Sequence, residues 1–481
     1  MIPMTLAEVA AAVGGRLHRA TGAEPVTGTV EFDSRKVTRG ALFVALPGER
    51  VDGHDFAAAA HAAGAAGVLA ARPVDAPAVV VGESVGESAV LDAFSRLATA
   101  LVRRLPGLDV VGLTGSSGKT STKDLVAAVL ARLGPTVAPP GSFNNEIGHP
   151  WTVLRAGEDT RYLVLELAAR GVGHIAERCA VAPPRVGVVL NVGSAHLGEF
   201  GSPEAVASAK GELVAALPAA EHGGVAVLNA DDARVAAMAE RTRARIVTFA
   251  HLGADADVRA ENVRLDEAGR PRFRLVTRAG WEELGLRLVG AHQVGNALAA
   301  AAVGLELGAG LDQVAQVLAA AEPASRWRME VTDRPDEVTV INDAYNANPE
   351  SMRAGLEALV AVAGGRRRCW AVLGAMAELG ESAPAAHAEV GRLAARLGVR
   401  RLVAVGSGDE ADSYRAGYRA GDGEESIAVP DVAAAMEVLH ERLRPGDVVL
   451  VKGSRSVGLE RIAAGLLKPP VSSAPVPTWE R

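Results

Sequence analysis

The sequence predicts an α/β fold in three domains: a small N-terminal α/β domain, a central P-loop-type domain with a mostly parallel sheet, and a C-terminal Rossmann-like domain. Short apolar runs typical of buried strands alternate with longer segments whose apolar residues recur at helical spacing. Polar or glycine-rich loops follow these runs, as at the ligand-binding edge of a doubly wound sheet. The chain has 481 residues, 49% of them hydrophobic, and at ~150 residues per domain about three domains are expected. We predict domains at residues 1–107, 108–322 and 323–468, and a disordered tail at 469–481.

The composition argues against several classes of protein. A net charge of -7 gives no general basic surface for nucleic acid. The two cysteines, Cys179 and Cys369, lie far apart, which argues against a disulfide framework or a cysteine metal cluster and fits a reducing compartment. No secretory leader is recognisable and no run of about 18 apolar residues occurs. We therefore expect a cytoplasmic protein without a membrane span.

In the first predicted domain, strands and helices are separated by loops rich in Asp, Ser, Arg, Gly and His. Residues 5–13 suit a capped helix. The segment V-E-F-D-S-R at 30–35 leads to an apolar segment at 41–46 and then to a polar loop at 47–56. Such loops either position donors for a polar ligand or are solvated turns. The residues alone favour the second interpretation.

The strongest motif is the loop T-G-S-S-G-K-T at residues 114–120, which follows an apolar run and precedes a helical pattern. Its glycines let several backbone N–H groups face one anion, and the helix N-terminus adds positive charge. Lys119 would reach the terminal phosphates and the Thr120 hydroxyl would ligate magnesium. Leu113 stands where the strict pattern has its first glycine, and a chance glycine and serine turn is the alternative. The predicted nucleotide contacts here are Gly115, Ser116, Ser117, Gly118, Lys119, Thr120 and Ser121.

Three further residues of the central region are candidates near a metal. Glu166 ends a strand, where open parallel sheets bind ligands, although a strand-end carboxylate also commonly faces solvent. His196 lies in a loop after the next strand, and the pattern leaves a metal ligand and a hydrogen-bonded structural histidine equally open. Lys210 lies on the helix that follows the N-cap Ser202.

The remaining segments supply sheet and helix. Residues 258–289 alternate apolar and polar positions, which suggests antiparallel hairpins packed beside the main sheet. Polar side chains at 290–297 open a helix and either contact adenine or ribose or only cap the helix. After residue 323, strands again run into loops, among them N-D-A-Y-N-A-N-P-E at 342–350 and K-G-S-R-S at 452–456. These loops would line one edge of a second sheet.

Lysine is rare in this chain, and each lysine therefore carries more weight. Six of the 50 basic residues are lysine. Arginine suffices wherever this protein needs only a positive charge, so a lysine marks a position that needs a compact or deprotonable amine. Five of the six lie in motifs that the sequence already singles out.

The ordered series of motifs resembles the Mur ligase family, and within it the type that adds D-alanyl-D-alanine. The resemblance runs from D-S-R-K at 33–36 to V-K-G-S-R-S at 451–456. Besides the phosphate loop, its strongest pieces are F-N-N-E-I-G-H-P at 143–150, N-V-G-S-A-H-L-G-E-F-G-S-P-E-A-V-A-S-A-K at 191–210 and N-D-A-Y-N-A-N-P-E-S-M at 342–352. It implies an ATP-dependent ligase of peptidoglycan precursor synthesis, with UDP-N-acetylmuramoyl-tripeptide and D-alanyl-D-alanine as substrates and an acyl phosphate between them.

The resemblance also implies roles in catalysis and metal binding. Lys119 corresponds to the family's phosphate-binding lysine, and Thr120 and Glu166 correspond to its first magnesium site. His196 is similar to the histidine of a second magnesium site. Lys210 matches a lysine whose carbamate, formed with CO2, steadies the second magnesium. Because carbamylation needs a neutral amine, arginine could not replace that lysine.

Further positions match the family's nucleotide and substrate contacts. For the nucleotide these are Asn296, Arg328 and Asp343; for the sugar peptide, Ser34, Arg35, Asn144 and Asn145; and for the dipeptide, Tyr345, Asn346 and Asn348. Two departures stand out. The family's G-R-M-E segment reads W-R-M-E at 327–330, which favours Arg328 as the site arginine and leaves Arg326 as a competitor. An acidic residue common before Met376 is Ala375 here, so that position receives no ligand role.

Three rival activities are weighed against this interpretation. A diaminopimelate- or lysine-adding Mur ligase would show D-N-P-R where this chain has D-A-Y-N-A-N-P, and a folylpolyglutamate synthase lacks the N-terminal D-S-R domain. A regulatory ATPase would hydrolyse ATP without forming an amide. The sequence leaves open whether the tripeptide carries diaminopimelate or lysine. We expect a monomer whose third domain closes over the second.

Overall fold

The computed structural model describes residues 1–48, 51–82, 88–193 and 197–468 of the chain. Within them, three successive α/β regions each contain a main sheet, and the predicted fold class is confirmed. His196 and the predicted tail at 469–481 lie outside the described residues.

The N-terminal region pairs short apolar strands under three helices. Its elements are β1 (Met4–Thr5), β2 (Arg16–His18), β3 (Pro25–Val26), β4 (Val30–Glu31), β5 (Leu42–Val44), β6 (Gly67–Ala70), β7 (Ala78–Val80), α1 (Leu6–Val13), α2 (Ala57–Ala62) and α3 (Ser88–Arg103). The main sheet has the order β2-β7-β6-β5-β4, with β2 antiparallel to the rest. A reciprocal capping box of Thr5 and Glu8 starts α1, and Gly14, with a φ of 67°, ends it.

The polar loop before α2 is tied down by its own side chains. His54 is buried, and its Nε2 accepts from the N–H of Ala71 at 2.9 Å. Its Nδ1 lies 2.6 Å from Oδ1 of Asp52, which also accepts from Arg72 at 3.0 Å through Oδ2. Although burial opposes it, hydrogen bonding by His54 lowers the pKa of Asp52 to about 2. These contacts fasten the loop to the end of β6, which is a structural role.

The central region is built on a nine-stranded sheet. Its strands are β8 (Asp109–Thr114), β9 (Thr136–Val137), β10 (Tyr162–Glu166), β11 (Val186–Val189), β12 (Val225–Asn229), β13 (Arg245–Ala250), β14 (Val258–Leu265), β15 (Pro271–Thr277) and β16 (Gly280–Gly285). Its helices are α4 (Lys119–Leu130), α5 (Gly148–Val153), α6 (His174–Val181), α7 (Leu197–Phe200), α8 (Pro203–Ala215), α9 (Ala233–Ala236), α10 (Gln293–Glu306) and α11 (Leu311–Ala320). The order is β16-β15-β14-β13-β12-β11-β8-β10-β9. In the part of this order that runs from β14 to β9, all neighbouring strands are parallel.

The predicted hairpins at 258–289 are present, but they do not pack beside the main sheet. Phe249 and Ala250 of β13 pair in parallel with Val258 and Arg259 of β14, so the antiparallel strands β14 to β16 extend the sheet at one edge. Alternation along a strand reports which faces are buried and not which edge finds a partner, and for this reason the sequence did not distinguish the two arrangements.

The C-terminal region is a second, six-stranded sheet. Its elements are β17 (Glu330–Asp333), β18 (Thr339–Asn342), β19 (Cys369–Gly374), β20 (Arg401–Val405), β21 (Glu425–Val429), β22 (Val448–Lys452), α12 (Pro349–Ala363), α13 (Ala383–Arg396), α14 (Asp409–Ala420), α15 (Val432–Arg442) and α16 (Glu460–Leu466). The order is β17-β18-β22-β19-β20-β21, parallel except for β17. Buried apolar clusters lie on both faces of this sheet, as a Rossmann-like layout requires.

An aromatic cluster joins the N-terminal and central regions. The ring of Trp151 on α5 packs against Phe32 and Phe143, with centroids 6.0 and 5.0 Å away. Its Nε1 donates to the carbonyl oxygen of Val30 at 2.9 Å. This contact brings the D-S-R loop and the F-N-N-E loop to the same interface. None of the helices described is long and apolar enough to cross a membrane.

Candidate active site

A cavity of about 840 Å³ lies between the central and C-terminal regions. Loops that follow β8, β10, β11 and β13 line it from one side, and loops that follow β18 and β22 line it from the other. The carboxyl ends of parallel strands are where open α/β sheets bind ligands. The cavity is therefore the first place to look for the predicted site residues.

The phosphate loop is held in a fixed shape by a neighbouring strand end. Gly118 has a φ of +80°, and a Cβ there would stand 2.6 Å from Oδ1 of Asn296, so no larger residue fits without displacement. The N–H groups of Ser116 and Ser117 both donate to Oδ1 of Asn191 at 2.9 Å. Lys119 begins α4, so the backbone N–H groups of the first helical turn point toward the cavity end of the loop.

Lys119 is engaged by its own loop. Its Nζ donates to the carbonyl oxygen of Gly115 at 2.6 Å. Burial lowers the pKa of Lys119, the carboxylate of Glu166 opposes that shift, and Arg328 adds to it. The Lys119 amine can therefore exchange the carbonyl oxygen of Gly115 for the oxygen of an anionic ligand, which would form a stronger, charge-assisted hydrogen bond.

Glu166 accepts hydrogen bonds from two sides. Oγ1 of Thr120 donates to its Oε2 at 3.0 Å, and Nδ2 of Asn144 donates to its Oε1 at 2.7 Å. Nη2 of Arg328 in turn donates to Oγ1 of Thr120 at 3.1 Å. Glu166 and Thr120 are both buried. The strand-end carboxylate thus faces the loop and not solvent.

The donor set fits magnesium better than a metal held only by protein. Within the described part of the chain, no group of three or more His, Cys, Asp and Glu side chains could hold a metal ion. Magnesium is usually held by one or two carboxylates together with phosphate oxygens and water. The hydroxyl of Thr120 and the carboxylate of Glu166, side by side at the phosphate loop, suit that pattern.

Lys210 is buried in α8 near the phosphate loop. Burial lowers its pKa well below the ordinary lysine value, and the positive charge of Lys119 lowers it further. Its amine is therefore biased toward the neutral form. His196, the other residue predicted near a second metal, lies outside the described residues.

The C-terminal wall of the cavity centres on a buried ion pair. Nζ of Lys452 lies 2.5 Å from Oδ2 of Asp343 and donates to the carbonyl oxygen of Asn346 at 3.0 Å. Asn348 caps α12, and its Nδ2 donates to the carbonyl oxygen of Ser116 at 3.2 Å. The Asp343 loop and the phosphate loop are therefore in direct contact.

The two candidate arginines lie in different surroundings. Arg328 lines the cavity, contacts Thr120 and has its Cζ 4.2 Å from the ring centroid of Tyr345. Arg326 is exposed and is not part of the cavity wall.

The predicted sugar-peptide residues divide into two groups. Asn144 and Asn145 line the cavity. Ser34 and Arg35 do not. Arg35 is exposed and pairs with Asp33, with Nε 2.8 Å from Oδ1. The structure therefore brings together the central and C-terminal candidates but leaves the D-S-R loop apart from them.

The helix-opening residues at 290–297 form the side of the cavity nearest the phosphate loop's helix. Asn296 accepts from Oγ1 of Thr122 at 3.1 Å and donates to Oε1 of Gln293 at 2.9 Å. His292 and His251 also line this side, and burial lowers the pKa of His292 to about 4. Burial also lowers the pKa of His251, against the opposing charge of Asp231. Imidazoles that favour the neutral form, beside amide groups, suit an uncharged, planar ligand group.

Several cavity residues were not predicted from the sequence. Asn191 and Lys452 lie in quoted motifs, and the rarity of lysine was a usable signal for Lys452. Arg178 had no such signal, because it sits mid-helix on α6. Its side chain is only 12% exposed, its Nη1 donates to the carbonyl oxygen of His174 at 2.7 Å, and its Nη2 is 3.9 Å from Oε2 of Glu146. Burial lowers its pKa. It gives the cavity a buried positive charge far along the chain from the phosphate loop.

Family models match three consecutive segments of the chain. Residues 28–115 match the model described as Mur ligase family, catalytic domain. Residues 113–304 match the Mur ligase middle domain, and residues 327–455 match the Mur ligase, glutamate ligase domain.

Curated relatives match over nearly their whole length. The UDP-N-acetylmuramoyl-tripeptide--D-alanyl-D-alanine ligase of Mycobacterium tuberculosis strain H37Rv is 53% identical, covering 97% of this chain and 98% of that protein. The protein of the same name from Escherichia coli K12 is 36% identical, covering 97% of this chain and 99% of that protein.

Solved structures agree with these relatives. A crystal structure of MurF from Acinetobacter baumannii superposes with a TM-score of 0.85 at 31% identity, covering 97% of this chain and 99% of that chain. A crystal structure of MurF ligase from Thermotoga maritima in complex with ADP gives a TM-score of 0.77 at 31% identity, covering 91% and 97%.

Proposed function

This chain belongs to the Mur ligase family, and from that membership we propose how its own residues carry out the family's chemistry. The protein is an ATP-dependent ligase that adds D-alanyl-D-alanine to UDP-N-acetylmuramoyl-tripeptide in peptidoglycan precursor synthesis. The observation that best supports this function is a cavity in which the phosphate loop contacts the Asp343 loop. This contact places a site for the phosphoryl donor beside a site for a second substrate.

We propose that the phosphate loop and Arg328 hold the triphosphate. The backbone N–H groups that begin α4 supply donors, and Lys119 supplies a mobile cation once it leaves the carbonyl oxygen of Gly115. Arg328 reaches the same point from the C-terminal region. Two cations and a helix N-terminus offset the repulsion between a triphosphate and an incoming carboxylate.

Magnesium fits this site through Thr120 and Glu166, and we propose a first ion there. When bound, magnesium would neutralise charge on the triphosphate and on the transferring phosphoryl group. Asn144 orients the carboxylate of Glu166 from the side away from Thr120. For a second ion we propose His196 and a carbamate on Lys210, because a buried amine biased toward neutrality can react with CO2.

We propose that the two acceptor substrates approach from different walls. Tyr345, Asn346 and Asn348 form the wall for D-alanyl-D-alanine, next to the Asp343 and Lys452 pair. Asn144 and Asn145 form the wall for the tripeptide end of the sugar peptide, and Ser34 and Arg35 would hold its distant UDP part. The UDP part is remote from the reacting carboxylate, and the D-S-R loop correspondingly lies outside the cavity.

The reaction we propose has two steps. The terminal carboxylate of the tripeptide attacks the γ-phosphorus of ATP, and the bond between that phosphorus and the oxygen bridging to the β-phosphate breaks. The products of this step are ADP and an acyl phosphate. The amine of D-alanyl-D-alanine then attacks the acyl carbon, loses a proton, and expels inorganic phosphate. The chain's contribution is to position the reactants and to hold their charges. We also propose that the enzyme acts as a monomer.

The decisive test measures phosphate release with each substrate omitted in turn. Release should require both UDP-N-acetylmuramoyl-tripeptide and D-alanyl-D-alanine, and one amide product should form per phosphate. Equal release without them would favour a regulatory ATPase. Product formation with a free amino acid in place of the dipeptide would favour another amino-acid ligase of the superfamily. Running the assay with diaminopimelate- and lysine-containing tripeptides in parallel would identify the third residue.

A further inference from the structure

The segment that carries Arg328 has an unusual backbone. Trp327 has a φ of 60° and Met329 a φ of 51°, so both residues that flank the arginine are left-handed. Non-glycine residues adopt this region rarely, and such strain persists only where the surroundings hold it. The strained turn therefore needs a cause outside its own backbone preference.

A stack of side chains surrounds Trp327. Cζ of Arg455 lies 4.1 Å from the centroid of its indole, and the ring of Tyr345 lies 6.5 Å away at an interplanar angle of 31°. The Tyr345 ring carries the guanidinium of Arg328 at 4.2 Å. The four side chains thus form one continuous series, Arg455, Trp327, Tyr345, Arg328.

Backbone contacts lock the same turn. The N–H of Tyr345 donates to the carbonyl oxygen of Trp327 at 3.3 Å, and the N–H of Met329 donates to Oδ1 of Asp343 at 3.1 Å. Both partners belong to the loop after β18. The turn is consequently fastened on each side of Arg328, and the arginine is left to extend across to Thr120.

We propose that Trp327 is a positioning residue, whose stack with Tyr345 and Arg455 holds the left-handed turn that presents Arg328 to Thr120. Arg328, Tyr345 and Arg455 line the cavity, whereas Trp327 is not part of its wall. Trp327 therefore acts on phosphoryl transfer through Arg328 and not by touching a reactant. The inference rests on the proposed roles of the ligase site.

The test uses Trp327→Ala, which removes the stack and leaves a non-glycine residue in the left-handed turn. We expect this variant to fold with a lower Tm and to lose about ten- to hundredfold in kcat, because the turn relaxes and Arg328 is misplaced. Trp327→Gly should retain most of the activity, because glycine adopts the left-handed backbone without a stack. Trp327→Phe keeps a ring face beneath Arg455 and should retain most of the activity. Wild-type kcat in Trp327→Ala would overturn the proposal, and so would a loss in Trp327→Gly as large as that in Trp327→Ala.

Two controls make the result specific. Trp281 is also stacked with an arginine, Arg274, at 4.4 Å, but it is 55% exposed on the outer hairpins, so Trp281→Ala should keep full activity. In an Arg328→Ala background, Trp327→Ala should cause no further loss of kcat, since the residue that Trp327 positions is already gone. A full, additive loss there would show that Trp327 acts by another route and would reject the proposal. Absence of ligase product with wild-type enzyme would instead count against the proposed function.

Discussion

Arg328 donates from Nη2 to Oγ1 of Thr120 across 3.1 Å, and that hydroxyl donates onward to Glu166 at 3.0 Å. Arg328 belongs to the C-terminal region, whereas Thr120 and Glu166 belong to the central one. A complete phosphate site therefore depends on how the two regions meet. This contact leads to the first prediction.

Replacing Arg328 should impair phosphoryl transfer, whereas replacing its neighbour Arg326 should not. Loss of one preorganised donor to a developing charge commonly costs about 10²–10³ in kcat, and we expect Arg328→Ala to fall in that range. Arg326 is exposed and away from the cavity, so Arg326→Ala is the matched control. Steady-state phosphate release measures both. An active Arg328→Ala variant beside an inactive Arg326→Ala would reverse the assignment.

Glu166→Gln should weaken the enzyme's response to magnesium. The substitution preserves the size of the side chain but removes the negative charge next to Thr120. We expect the magnesium concentration for half-maximal rate to rise about 10- to 100-fold. Glu158→Gln, at an exposed glutamate in the turn before β10, serves as the control. Magnesium titrations at saturating ATP would show the difference. Identical titration curves for the two variants would exclude Glu166 as a ligand.

Variants of Lys210 should regain activity only when an added carboxylic acid supplies the negative charge of the lost carbamate. We expect Lys210→Ala and Lys210→Arg to be inactive, and short carboxylic acids to restore part of the activity of the alanine variant. Lys468→Ala, at an exposed lysine, should behave as wild type. Since the buried amine of Lys210 is biased toward its neutral form, labelled bicarbonate should give a carbamate signal near neutral pH in wild type. A fully active Lys210→Arg variant would rule the carbamate out.

The sequence predicts those site residues whose neighbours in the site are also their neighbours in the chain. The phosphate loop is a contiguous strand, turn and helix, so Gly118, Lys119 and Thr120 could be assigned from their order alone. Arg328 and Arg326 could not be separated in this way, because they are two residues apart and differ only in the direction that the strained turn gives them.

Other parts of the site depend on contacts between distant segments. Asn191 fixes the loop amides of Ser116 and Ser117 from 74 to 75 residues away, and Arg178 reaches the cavity from the middle of α6. Asn191 lies in a quoted motif and Arg178 does not, but neither position shows by itself which distant segment it contacts. The same holds for the edge at which the hairpins join the sheet, since strand pairing between distant segments is decided by packing.

Breaking the buried pair of Asp343 and Lys452 should destabilise the C-terminal region. Both side chains are buried, and burial lowers the pKa of Lys452 while Asp343 opposes that shift. Removing one partner of a buried pair typically costs about 3–5 kcal/mol, which we expect for Asp343→Ala in urea unfolding. Asp336→Ala removes a partner from a more exposed pair with Arg334 and should cost about 0–1 kcal/mol. A double replacement, Asp343→Ala with Lys452→Met, should be less destabilised than Asp343→Ala alone; greater destabilisation would contradict this account.

Stability should fall as the pH drops below about 6.5, and buried histidines should be the reason. Burial, aided by the charge of Arg178, lowers the pKa of His149 to about 3. The unfolded chain therefore takes up a proton first as pH falls, and each unit below the unfolded pKa of about 6.5 costs the folded state up to about 1.4 kcal/mol per such histidine. Carboxylates with lowered pKa values, such as that of Asp52, lose their stabilising effect only below about pH 4, so the window from pH 6.5 to about 5 isolates the histidines. His149→Phe should flatten the decline of Tm in that window, whereas His440→Phe, at an exposed position on α15, should not. An unchanged slope in His149→Phe would show that His149 accepts its proton without cost in the folded state, which its complete burial argues against.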